Sequence, residues 1–184
     1  MIIADADHLD RVAFDLIVNF ERIINRRIPK ADLALWTECV ARDGGLREGA
    51  HQTQVVLVHD ADSKSLDNFA PSDFAKEIDG QAFSGPLGEF VFTVVEKVPE
   101  VGGGDLLCDT VALALEQSEM QRIMIIPDEE SDYDHVRQLL RRADPDKHIT
   151  LFAMQPMPGG NFRQEILGYS LMAALGIKGE ELGI

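Results

Sequence analysis

Residues 122–140 read RIMIIPDEESDYDHVRQLL, and their order sets the fold class. Ile123 to Ile126 is an unbroken apolar run of strand length, without the alternation of a half-exposed strand. Such a run suits a strand covered on both faces, as in a parallel sheet. Pro127 ends it, and Asp128, Glu129, Glu130, Asp132 and Asp134 crowd the turn that follows. Val136, Leu139 and Leu140 then recur at helical spacing, and Ser131 with Asp134 three residues later resembles a capping box. The stretch is one strand, one acid-rich turn and one helix.

The same unit recurs on either side. Ile2 and Ile3 open a short strand that stops at Asp5, and Ala13, Leu16, Ile17, Phe20 and Ile24 carry a helical stripe beyond Asp10. After Pro29, Leu33, Trp36 and Val40 make a second stripe that Gly44 and Gly45 end. Val55 to Val58 reads as a buried strand, and Glu89 to Lys97 as a strand of β-branched and aromatic residues. Gly102 to Gly104 lead to Asp105, the expected N-cap of a helix that buries Leu107, Val111 and Ala114. Ile149 to Met154 is the last strand, and a final helix is expected over 162–175.

The order predicts a single α/β domain over residues 1–184. Its expected form is a three-layer α/β/α sandwich around a mostly parallel sheet of about five strands. Residues 60–88 fit neither period well, so a long, partly ordered insertion is expected there.

Composition narrows the function. The 184 residues carry 17 Lys and Arg against 32 Asp and Glu, a net charge of −15. That field repels nucleic acid and anionic lipid at long range, so any contact with phosphates has to be made locally. The cysteines, Cys39 and Cys108, form no CxxC pair, which suits a reducing compartment. No apolar run reaches the roughly 18 residues of a membrane span. The opening MIIADADHLD lacks a basic segment before an apolar one, so a secretory signal is not expected. The expected location is the cytoplasm.

In open parallel sheets, ligands bind beyond the carboxyl ends of the strands. The acids of this chain gather at those ends: Asp5 and Asp7, Asp60 and Asp62, Asp105 and Asp109, and the group from Asp128 to Asp134. Converging carboxylates repel one another unless a cation neutralises them, so an oxygen-ligated Mg²⁺ or Mn²⁺ is the physical expectation. Such an ion among carboxylates suits phosphoryl chemistry. Helix capping and the helix dipole account for acids at the same positions without any metal.

Three motifs resemble the NYN domains of the PIN-like nuclease superfamily. Ala4-Asp5-Ala6-Asp7-His8-Leu9 is similar to that family's first-strand motif, with His8 in place of the usual Asn. Gly104-Asp105 matches its acid at a helix start. Glu129-Glu130-Ser131-Asp132-Tyr133, after an apolar strand, is similar to Gly-Asp-Ser-Asp-Phe. Over residues 2–154 the resemblance implies that Asp5, Asp105, Glu130 and Asp132 bind Mg²⁺ or Mn²⁺ and that the substrate is RNA. Asp7, Asp109 and Asp128 are further candidate ligands. His8, Ser131, Arg26 and Arg27 are candidate substrate contacts, although the arginines also suit a helix C-terminus. The chain also resembles haloacid dehalogenase-like phosphatases, which would make Asp5 a nucleophile and Asp7 an acid/base. In that arrangement Lys97 is the phosphate partner, and Asp128 and Asp132 are metal ligands. A third expectation is an inactive PIN-like module that acts through a protein partner or as a homodimer.

Overall fold

The computed structural model describes residues 1–99 and 105–183. The glycines at 102–104 therefore lie outside the described residues. The chain is α/β, with a seven-stranded, mostly parallel sheet. In chain order its elements are β1 (Ile2–Asp5), α1 (Ala6–Ile24), β2 (Ala31–Asp32), α2 (Leu33–Asp43), β3 (Gln52–Asp60) and β4 (Phe69–Ala70). They continue with β5 (Ala82–Gly85), β6 (Gly88–Lys97), α3 (Leu106–Glu116), β7 (Arg122–Ile126), α4 (Tyr133–Leu140), β8 (His148–Ala153), β9 (Arg163–Ile166) and α5 (Leu167–Ala174).

The spatial order is β5-β6-β3-β1-β7-β8-β9, and only the β5–β6 hairpin is antiparallel. The chain steps outward from β1 through β3 to β6, then returns to β7 on the other side of β1. The strand order thus reverses between β1 and β7, and loops leaving the two strands diverge there to open a crevice.

β1 is buried at all four residues, as an unbroken apolar strand requires. Ile2 and Ala4 join a hydrophobic cluster with residues of α1, α2 and α5. Ile3 joins a second cluster with Leu107 and Val111 of α3 and Val136 and Leu140 of α4. Alternate residues of one strand therefore serve two cores.

Several expectations are corrected. The sheet has seven strands rather than about five, because β5 and β9 extend its edges. β9 occupies Arg163–Ile166, inside the expected helix over 162–175, and the helix begins only at Leu167. The polar sequence Arg163-Gln164-Glu165 gives an edge strand little apolar pattern to betray it. α1 begins at Ala6, directly after the strand rather than beyond Asp10, because Asp5 caps it. Residues 60–88 are built into the fold and are not a partly ordered insertion. Leu66, Phe69, Phe74 and Ile78 are buried there at irregular spacing. Phe69 stands edge-on to Trp36, with ring centroids 6.2 Å apart. β4 pairs with β2, and a π-helical turn at Phe74–Ile78 leads to β5. Among the described residues, no helix is long and apolar enough to cross a membrane.

Candidate functional site

The parallel register brings Asp60 at the end of β3 opposite Lys97 at the end of β6, with Asp5 at the end of β1 beside them. Each lies at the carboxyl edge of its strand. Lys97 Nζ donates to Asp5 Oδ2 at 2.9 Å and lies 3.3 Å from Asp60 Oδ1. Burial works to lower the Lys97 pKa, but the hydrogen bond and charge of Asp5, and then of Asp60, outweigh it and raise it. The second oxygen of Asp5, Oδ1, accepts the His8 amide at 2.8 Å and so caps α1. Asp7 Oδ2 accepts the backbone N–H of Asp60 at 2.7 Å, which ties the first turn of α1 to the end of β3.

Asp132 joins this group from the turn after β7. It is 9% exposed, and its pKa is raised by burial and by the charges of Asp105 and Asp5, while Ser131 and Lys97 pull the other way. Asp105 sits at the N-terminus of α3, where its Oδ1 accepts the amides of Leu107 and Cys108. Its Oδ2 is buried and has no hydrogen-bond partner among the described residues. A buried carboxylate oxygen without a donor is costly, and a cation is one means of satisfying it. Lys97 thus joins Asp5 to Asp60, and Asp132 feels the charges of Asp5, Asp105 and Lys97.

The remaining candidates fall elsewhere. Asp128 faces α1: Arg11 Nη2 donates to its Oδ2 at 2.6 Å, and His8 Nδ1 is 3.8 Å from the same oxygen. Its Oδ1 accepts the Glu130 and Ser131 amides. Burial opposes ionisation of Asp128, but the Glu130 amide, His8, the Ser131 amide and Arg11 together hold its carboxyl below the usual range. Glu130, Ser131 and Asp109 are exposed. Glu130 lines a cleft with His8, Arg11, Asp128 and Glu129. The turn explains this. Asp128 holds the two amides that follow it, and Glu129 accepts the Met154 amide across to β8, leaving Glu130 at the apex. The expected Ser131 cap also gives way, because Asp132 holds the N-cap position of α4 and makes no side-chain cap bond.

Arg26 and Arg27 follow the far end of α1, roughly 28 Å along a 19-residue helix from Asp5. Arg26 forks onto Glu181 at 2.6 and 2.9 Å and reaches the Gly176 carbonyl, and Arg27 meets Glu21. These candidate substrate contacts thus lie at the opposite end of α1 from Asp5.

The sequence reading gave Cys108 and His135 no role. They stand beside Asp105, on α3 and in the first turn of α4, and the Asp105–Cys108 spacing of three is the one local signal that they share a face.

No curated protein and no solved structure matches the chain. A family model described as "Family of unknown function (DUF6621)" matches residues 1–182, and the chain belongs to that family.

Proposed function

We infer that the protein is a divalent-metal-dependent nuclease acting on RNA phosphodiesters at Asp5, Asp105 and Asp132. The observation that carries this reading is the nearness of those three carboxylates, from the end of β1 and the starts of α3 and α4, with Asp132 feeling the charges of both Asp105 and Asp5. The donor set is all oxygen and includes the buried, partnerless Oδ2 of Asp105, which fits Mg²⁺ or Mn²⁺. When bound, such an ion supplies an activated water and a charge to offset that of the phosphate. Lys97 fixes the rotamer of Asp5 and offers a cation to an anionic group entering the site.

The two cores on opposite faces of β1 support a PIN-like, three-layer arrangement, as does the acid order Asp5, Asp105, Asp132 along the chain. The half-buried free cysteines fit a reducing cytoplasm.

The Lys97–Asp5 ion pair favours a second reading, a phosphatase with Asp5 as nucleophile and Lys97 as its phosphate partner. Against it, Asp128 is engaged by Arg11 and His8 rather than standing with Asp132. Calorimetric Mn²⁺ titration of wild type, Asp105→Asn and Asp128→Asn separates the two, followed by cleavage of single-stranded RNA. The nuclease reading expects Mn²⁺ binding and cleavage that are lost in Asp105→Asn and kept in Asp128→Asn. The reverse pattern supports the phosphatase. A folded wild type that binds no Mn²⁺ overturns both and leaves a protein-interaction module.

A further inference from the structure

Asp105 has one oxygen committed to the α3 cap and one buried oxygen that meets no N–H or O–H donor among the described residues, while burial and a hydrogen bond to Asp105 push the Cys108 thiol up, so a metal there has to displace the thiol proton. Cys108 is one turn further on, and His135 reaches toward them from α4. A carboxylate oxygen of Asp105, the Sγ of Cys108 and a ring nitrogen of His135 all lie within 4.8 Å of one another. Ligand bonds of about 2.0–2.3 Å in a tetrahedral zinc site put the donor atoms roughly 3.3–3.7 Å apart. Closing the remaining gap takes a movement of about 1 Å, within the rotamer freedom of an exposed histidine.

The donor types decide the ion. Mg²⁺ and Ca²⁺ take oxygen, whereas thiolate and imidazole together select a softer transition metal. The three residues also line a cleft of about 700 Å³ between α3 and α4, whose wall includes Gln138, Arg141 and Arg142. Three protein donors leave one tetrahedral position open, as in zinc sites that bind water or a substrate atom. The same lining carries both signs of charge, with Glu116 and Asp144 beside the two arginines.

We propose that Asp105, Cys108 and His135 form a Zn²⁺ site, with its fourth coordination position open to the α3–α4 cleft. It draws on the same Asp105 as the nuclease reading, so the two ions compete for that carboxylate.

Co²⁺ is the probe, titrated into the reduced full chain. One equivalent is expected to give tetrahedral d–d bands and a thiolate-to-cobalt charge-transfer band, both bleached by Zn²⁺. Cys108→Ser is expected to remove the charge-transfer band and Cys39→Ser to keep it. His135→Ala weakens Co²⁺ binding by at least about tenfold. Asp5→Asn keeps the Co²⁺ spectrum while losing Mn²⁺ binding, so the two sites fail separately. Circular dichroism melts confirm that each variant is folded. The proposal is overturned by a folded wild type with no charge-transfer band, by a band that survives Cys108→Ser, or by one that disappears in Cys39→Ser.

Discussion

Replacing Lys97 by Met removes the one cation that, among the described residues, touches Asp5 and Asp60, while keeping the length of its aliphatic stem. Breaking a buried ion pair costs about 3–5 kcal/mol, and an exposed pair is worth about 0–1 kcal/mol. The Lys97 side chain is 29% exposed and that of Asp5 is 5% exposed, so the pair lies between these limits. A loss of about 2 kcal/mol is expected. For a chain of this length the unfolding entropy is about 0.4 kcal/mol per degree, which makes the loss roughly 5 °C in Tm. The pKa of Lys97 is raised in the folded state, so its contribution is fully present below the ordinary lysine value of about 10.4. It is lost only as pH rises through the folded value. The deficit of the variant should therefore be constant through neutral pH and shrink only in strong alkali. The assay is a calorimetric melt at pH 7 and at several alkaline values. Under the nuclease reading, Mn²⁺ should also raise the Tm of Lys97→Met by more than that of wild type, because the ion takes over the missing charge. At a hundredfold excess over Kd, binding supplies about 2.7 kcal/mol, or roughly 7 °C. A Lys97→Met protein melting within a degree of wild type at pH 7 would refute the view that this lysine holds the cluster together.

Asp132→Asn should raise the Tm of the metal-free protein at pH 7. The raised carboxyl costs stability as pH climbs from its unfolded value through its folded one, and Asn removes that cost. Melts at pH 4 and 7 should show the variant's advantage growing with pH; an advantage confined to pH 4 would contradict the assignment. Arg26→Ala should leave Mn²⁺ affinity within about twofold of wild type, since additivity is normal between sites this distant. Gly88→Ala should cost more than about 1 kcal/mol in urea unfolding. Gly88 has φ +97°, and an added Cβ would fall 2.1 Å from the His51 carbonyl oxygen, so an unchanged midpoint would contradict this geometry.

Strands with unbroken apolar runs were legible in the sequence because burial on both faces leaves no other pattern: Ile2–Ile3, Val55–Val58 and Ile123–Ile126 all lie in the parallel sheet. β9 was not, because an edge strand such as Arg163-Gln164-Glu165 needs no apolar face. The segment from Leu66 to Ile78 escaped because its buried residues answer to Trp36 and the sheet rather than to a local period. In the site, Asp5, Asp105 and Asp132 could be named because each follows or opens a recognisable element. The side of the crevice that Glu130 takes was not legible, because one residue in a tight turn decides it. The neighbourhood of Cys108 and His135 depends on how two helices pack, which neither residue's local sequence records.

The bond from the Asp60 amide to Asp7 acts as a registration pin. Adjacent parallel strands can in principle slip along one another or fray from their tips. Here the tip of β3 is fastened through α1 to β1, and the tip of β6 is fastened to both by Lys97. Opening of the sheet should therefore begin at the opposite edge, where β1, β3 and β6 start. In hydrogen exchange the Asp60 amide, although it belongs to an exposed residue at the end of a strand, should be among the slower ones of β3. A cluster that looks like a reaction centre would then also be the clasp that keeps three strands aligned.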